Sequence, residues 1–238
     1  MVDRIRLQPL IRLDDGTVFG YEALYRKEDA SGYPSAVDVL ESVAASCGYK
    51  EGFQLFINMT VNDIVNPGFC RIFTKVLERW GVRGSNVVLE VSEKTHPDYL
   101  PLAQRTLSLL RRHDIKIALD DFGTEYSSLS FLKELPLDIV KIDKRFVQEA
   151  PSSKKSRALL RSCACICHDV RCDVIAEGIE TEEQLDCVKN SGADIGQGFL
   201  FSATIHNFRR NPFIPLRDFS SLDMMYTKKA HVHLPVGI

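Results

Sequence analysis

At 238 residues, with 45% apolar and 26% charged side chains, the chain can bury a substantial core and has the composition of an ordinary globular protein. A formal net charge of −2 supplies no global attraction to nucleic acid or to an anionic membrane. No apolar run nears the roughly 20 residues of a membrane helix, Met1 to Arg6 lacks the apolar centre of a signal peptide, and an odd number of cysteines suits a reducing compartment, so the expected location is cytoplasmic.

The elements alternate along the chain. Strand-like runs occur at Ile5–Leu13, Val18–Tyr25, Gln54–Asn58, Val87–Val91, Ile115–Leu119, Ile139–Ile142, Val174–Ala176 and Gly196–Leu200. Asp14-Asp15-Gly16 between the first two is a tight-turn signal and predicts an antiparallel hairpin. Amphipathic segments occupy Ala36–Cys47, Phe69–Trp80, Leu100–Arg112, Ser127–Leu135, Lys154–Asp169 and Thr181–Ser191. Thr181 with Gln184 opens the last as a capping box, and Gly192 stops it. Repeated strand–helix units predict a parallel sheet, and about eight of them in a chain this long fit an α/β fold of the (βα)8 barrel type better than an open sheet. No Gly/Ser/Pro linker divides the chain; residues 1–210 read as one domain and 211–238, with Pro212, Pro215 and Pro235, as an unassigned tail.

Cys163, Cys165, Cys167 and His168 invite a metal reading. At helical spacing Cys165 points away from the other two, so small buried hydrophobes are the better account.

The chemistry gathers at strand ends. Asp120 and Asp121 close an apolar run and precede Phe122-Gly123-Thr124. Adjacent carboxylates repel, and burying them is costly unless a cation compensates. In a barrel the carboxyl ends of the strands converge on one face. There the sequence places Glu22, Asn58, Glu90 with Glu93, Asp120 with Asp121, Lys141, Glu177 with Glu180, and Gln197. Singly, each has a bland explanation: a solvent-facing strand residue, a turn former, a helix-start acid, a snorkelling lysine. Jointly they point to a site for Mg²⁺ or Mn²⁺, and without histidine they argue against zinc.

Glu22-Ala23-Leu24 is the tripeptide that names the EAL domain, a cyclic di-GMP phosphodiesterase module, and the chain resembles that family throughout Ile5 to Ser202. The other motifs occur in order: Gln8-Pro9, Ile57-Asn58-Met59-Thr60, Leu89-Glu90-Val91-Ser92-Glu93, Asp120-Asp121-Phe122-Gly123-Thr124, Lys141-Ile142-Asp143, Ala176-Glu177-Gly178-Ile179-Glu180 and Gln197-Gly198-Phe199-Leu200. The resemblance implies a TIM-like barrel whose first strand is antiparallel, and hydrolysis of cyclic di-GMP to linear pGpG. It implies Glu22, Asn58, Glu90 and Asp120 around a first Mg²⁺ or Mn²⁺, Asp120 bridging to a second ion held with Asp121, and inhibition by Ca²⁺. Lys141 would orient the attacking water, Glu177 would be its general base or a ligand reached through water, and Gln197 would support the water network. Glu93 and Glu180 would steady the loop after Asp121 and the lysine, Gln8 and Arg26 would contact substrate, and a homodimer would form through the helix after Ser127-Ser128-Leu129.

Four features depart from the family pattern. Glu125 replaces the usual glycine, and a left-handed backbone there would cost about 1 kcal/mol or more. No helix precedes the first strand run, Lys27 to Ala36 is a short loop, and Ser202-Ala203-Thr204 replaces the usual exit. No ligand acid is lost, which favours the phosphodiesterase expectation over the first of two other readings, and the motif match weighs against the second. One is a non-catalytic module that binds cyclic di-GMP or docks on a protein; the other is a two-metal hydrolase of a different phosphodiester.

Overall fold

The structure is a computed structural model and describes residues 5–25, 33–47, 54–125, 128–201 and 214–215. Its strands are β1 (Ile5–Arg12), β2 (Val18–Tyr25), β3 (Gln54–Asn58), β4 (Val87–Ser92), β5 (Lys116–Phe122), β6 (Ile139–Ile142), β7 (Asp173–Ala176), β8 (Ile195–Gln197) and the two-residue β9 (Ile214–Pro215). Helices α1 (Ala36–Cys47), α2 (Val61–Val65), α3 (Phe69–Trp80), α4 (Leu100–Arg111), α5 (Ser128–Glu134), α6 (Lys144–Glu149), α7 (Lys154–Asp169) and α8 (Glu182–Ser191) lie between them.

β2 to β8 pair in parallel in chain order, and β1 closes the ring by pairing antiparallel with both β2 and β8. The fold is therefore a closed (βα)8-type barrel with an antiparallel first strand. The hairpin turns at Gly16, whose φ of 71° suits glycine.

The core has two shells. Between barrel and helices lies a cluster running from Leu7 through Phe73, Leu107 and Phe131 to Leu185. Inside the barrel, Leu10, Phe19, Phe56, Val88, Ala118, Ile139, Ile175 and Ile195 form a separate plug to which every barrel strand contributes one residue. This plug determines what sits above it. Side chains of a strand alternate between faces, so the next inward position is two residues along. From the plug these steps lead to Asn58, Glu90, Asp120, Lys141, Glu177 and Gln197, and, on the antiparallel β1, backwards to Gln8. In β2 the pairing Leu10–Gly20 is followed by Ile11–Val18, so Phe19 is an extra bulged residue that enters the plug while Glu22 keeps its register opposite Gln8.

Two strands differ from expectation. β5 does not stop at Leu119 but carries both aspartates, ending at Phe122 with a register shift against β6 after Leu119. β8 ends at Gln197, and Phe199 and Leu200 are already helical. The short helices α2 and α6 lie below the length at which sequence periodicity is readable. Cys167 is buried on α7, with burial holding its thiol up at about 12, so it packs as an inert hydrophobe, whereas Cys165 is exposed. Arg26, nearly all of the loop from Lys27, the Ser202-Ala203-Thr204 exit and most of the tail lie outside the described residues.

Candidate active site

Lys141 organises the mouth of the barrel. Its side chain is 1% exposed, yet its Nζ lies 2.8 Å from Glu90 Oε1, 2.8 Å from Glu177 Oε1, 3.1 Å from Asp120 Oδ1 and 3.3 Å from Glu22 Oε2. Four strands thus present carboxylates to one ammonium. Burial alone would depress the lysine, but the four acids outweigh it and hold it well above its ordinary value. The same burial acts on the acids. It pushes Glu90 well above the usual carboxylate range, helped by the nearby Glu22, and it raises Asp120 and lifts Glu177 to about 8. Glu22 goes the other way: burial is outweighed by Lys141 and by amide donors, and its carboxyl is held low. Those donors are Gln197 Nε2 at 2.7 Å and Asn58 Nδ2 at 3.0 Å, and Gln197 Nε2 also reaches Gln8 Oε1 at 3.1 Å.

Asp121 reaches the mouth by an unusual route. Neighbours in a regular strand face opposite ways, so Asp120 and Asp121 cannot both point inward without a break. The break is Asp121 itself, with φ of 60°, a left-handed conformation rare outside glycine and costing on the order of 1 kcal/mol. The turn beyond it holds that torsion in place. The Glu93 carboxylate accepts hydrogen bonds through Oε2 from the backbone N–H groups of Gly123 and Thr124, each at 2.9 Å, and of Glu125 at 3.3 Å. Gly123 has φ of 92° and lies against the Phe146 ring, where an added Cβ would come within 2.6 Å of ring carbon Cε2. Glu125 is not among the described non-glycine residues with positive φ, so the strain anticipated from its replacing glycine is absent.

The remaining expected residues divide between the mouth and its rim. Asn58 is exposed at the end of β3, Gln8 is buried in the middle of β1 opposite Glu22, and Gln197 is buried at the end of β8. Glu180 is exposed and is not among the ion-pair partners of Lys141; its backbone N–H donates to Gln184 Oε1 at 2.7 Å. Sequence reasoning missed Lys94, whose Nζ lies 2.6 Å from Asp121 Oδ2. The only signal for it was a cation directly after Glu93.

The residues present fit a hard divalent cation. Glu22, Glu90, Asp120, Asp121 and Glu177 put five carboxylates against the ammonium groups of Lys141 and Lys94, an excess of three negative charges when all are ionised. Both Glu90 carboxylate oxygens and Asp120 Oδ1 are buried; Glu90 Oε1 and Asp120 Oδ1 pair with the Lys141 ammonium, and Glu90 Oε2 has no hydrogen-bond partner among the described residues. Asp120, Asp121 and Glu177 each offer an oxygen within 4.8 Å of the others. All the donors are oxygens, which suit Mg²⁺ or Mn²⁺. Beside them opens a cavity of about 670 Å³ bordered by Tyr25, Tyr33, Thr60 and Lys94, large enough for a nucleotide-sized ligand.

Comparison with known proteins agrees with this geometry. The EAL domain family model matches residues 37–204. The probable cyclic di-GMP phosphodiesterase PdeG of Escherichia coli is 30% identical over 217 residues, covering 82% of this chain and 43% of that protein. The EAL domain of Mycobacterium smegmatis DcpA superposes with a TM-score of 0.78 at 28% identity, covering 92% of this chain and 94% of that one. Klebsiella pneumoniae BlrP1, solved as a manganese and cyclic di-GMP complex, superposes with a TM-score of 0.70 at 29% identity over 83% of this chain and 54% of that one. The chain spans between 26% and 43% of the length of the curated relatives it matches.

Proposed function

The chain belongs to the EAL-domain family, and from that membership we propose that it is a metal-dependent phosphodiesterase that hydrolyses cyclic di-GMP to linear pGpG. The observation that carries the reading is the buried Lys141 among Glu22, Glu90, Asp120 and Glu177, five charged groups gathered at the barrel mouth with one cation against four acids. Packing does not explain such a cluster; a site that meets a bound cation and an anionic phosphodiester does.

In this reading Glu22, Asn58, Glu90 and Asp120 would hold one Mg²⁺ or Mn²⁺, and Asp120 with Asp121 a second. Bound there, the ions would supply Lewis-acid stabilisation of the phosphoryl charge and a more acidic water. The chain's own groups do the rest. Glu177 takes the proton of the attacking water as the water oxygen bonds to phosphorus and the P–O3′ bond breaks, and the 3′-oxygen leaves as an alkoxide that takes a proton from solvent to become the 3′-hydroxyl of pGpG. Lys141, 2.8 Å from Glu177, keeps that carboxylate oriented and offsets negative charge on the phosphoryl oxygens. Gln197 and Asn58 fix Glu22 by hydrogen bonds, and Glu93 fixes the turn behind Asp121. Glu180, exposed and away from the lysine, takes a place at the rim, and Gln8 and Arg26 complete the substrate contacts.

The reaction decides the matter. Purified protein with cyclic di-GMP and Mg²⁺ or Mn²⁺ is expected to yield pGpG, with Ca²⁺ inhibiting because its larger, looser coordination does not match a tight two-ion geometry. Tight dinucleotide binding with no product at saturating metal would refute hydrolysis and favour a binding module. Faster cleavage of another cyclic dinucleotide would reassign the substrate. We further place the protein's action on a cytoplasmic messenger and its homodimer contact on α5, where Leu129 is 61% exposed. No helix among the described residues is long and apolar enough to cross a membrane.

A further inference from the structure

The residue after Glu93 is a lysine, and its ammonium pairs with Asp121, the carboxylate a second ion would need. Lys94 Nζ lies 2.6 Å from Asp121 Oδ2, and that carboxylate is the outermost of the three acids whose oxygens converge within 4.8 Å. The two ends of the pair differ in freedom. Asp121 is 26% exposed and is set by its left-handed backbone and by the Glu93-bound turn, so it cannot swing far. Lys94 is 60% exposed at its side chain, and the one hydrogen bond described for its backbone N–H, to Ser92 Oγ at 3.2 Å, leaves the four-carbon stem free to rotate into solvent. A divalent ion and an ammonium cannot share one carboxylate oxygen without strong like-charge repulsion.

We propose that Lys94 is a resident counter-ion of Asp121: its ammonium neutralises the carboxylate while the outer metal position is vacant and has to leave before a divalent ion binds there. The inference rests on the two-ion reading above and deepens it. The inner position has its own ammonium in Lys141, but it gathers Glu22, Glu90 and Asp120 besides Asn58, whereas the outer position draws on Asp120 and Asp121 with Lys94 paired to the latter. The outer position is therefore the weaker one and fills last, at a metal concentration set by how firmly Lys94 holds Asp121.

Calorimetric titration of the metal-free protein with Mn²⁺, paired with low-temperature electron paramagnetic resonance of adjacent Mn²⁺ pairs, tests this without substrate. The wild type is expected to bind one ion tightly and one weakly, and Asp121→Asn to lose the weak one. Lys94→Met, which keeps the stem and removes the charge, is expected to tighten the weak ion about fivefold, the factor an exposed ion pair of up to ~1 kcal/mol allows. Its tight ion is expected to be unchanged, and the spin-coupled pair signal to appear at correspondingly lower Mn²⁺. Lys94→Arg retains the charge and is expected to behave as wild type. A change under twofold in Lys94→Met, or equal tightening in Lys94→Arg, overturns the proposal while two-ion binding stands. A wild type that binds a single ion and is indistinguishable from Asp121→Asn overturns the two-ion reading itself, and the proposal with it.

Discussion

Replacing Lys141 by methionine removes one charge and keeps most of the volume, so its effect isolates what the ammonium does for the fold. Four carboxylate oxygens lie 2.8 to 3.3 Å from Nζ, and the side chain is 1% exposed. At an effective dielectric constant of 20, each such pair is worth about 5 kcal/mol of gross attraction. Most of that offsets the cost of burying the five groups. What remains on removing the single cation is an uncompensated cluster of acids, for which breaking a buried pair gives about 3–5 kcal/mol. In a chain of this length that corresponds to a fall in Tm of roughly 6–20 °C. The assay is thermal unfolding of the wild type and Lys141→Met at pH 8 in chelator, repeated at pH 5 and with saturating Mg²⁺. The loss is expected to be largest at pH 8 without metal. It should shrink at pH 5, where the raised carboxyls of Glu90, Asp120 and Glu177 take up protons more readily, and shrink again when Mg²⁺ supplies the missing positive charge. A variant that unfolds within about 3 °C of wild type at pH 8 without metal would refute the claim that this lysine holds the acids together.

The same geometry carries two further expectations. Burial raises the Glu177 carboxyl from 4.5 to about 8, although Lys141 pulls it down; it therefore contributes stability that is complete below about 4.5 and lost as pH rises through about 8. Metal-free protein is thus expected to melt at progressively lower temperature from pH 5 to pH 8.5, with Mg²⁺ raising Tm more at the upper end, and a metal-free Tm that is flat or rising over that interval would contradict the assignment. The exposed Leu129 on α5 is expected to be covered in a homodimer, and light scattering at micromolar concentration reads this directly: a dimer mass for the wild type and a monomer for Leu129→Glu supports it, whereas a monomeric wild type rejects it.

The barrel and most of its site were legible in the sequence because both arise from short-range periodicity. Barrel strands of three to eight residues separated by amphipathic helices declared the fold, and the acids stood out because they end apolar runs. The features that were not legible depend on single backbone torsions or on contacts between distant segments. Nothing in Leu119-Asp120-Asp121-Phe122 announces that the strand continues through the aspartates with a left-handed residue inside it. The resemblance implied that Glu93 steadies the loop after Asp121, but no local pattern near Glu93 says that it does so by accepting from the backbone N–H groups of Gly123, Thr124 and Glu125, about thirty residues away in sequence. Glu125 looked costly only because glycine is so often a sign of positive φ; here the left-handed positions are Asp121 and Gly123, and the turn recovers before it reaches Glu125.

The period of two residues does more than bury the plug. From Phe56, Val88, Ala118, Ile139, Ile175 and Ile195, one step of two residues reaches an amide, an acid or the lysine, so the floor and the reactive layer are successive rings of one lattice. A close-packed floor resists displacement, because moving any plug residue forfeits contacts with neighbours on adjacent strands. The acids above it are accordingly held at fixed separation, which a cation site requires. Asp121 is the exception, since the lattice offers it no inward position. It is brought in by a strained torsion, a glycine pressed against Phe146, and the Glu93 carboxylate. In the proposed two-ion reading, rigid spacing from the barrel would make the inner site and a locally supported turn the outer one. It would then be the outer site, where Lys94 pairs with Asp121, that substitutions outside the barrel tune.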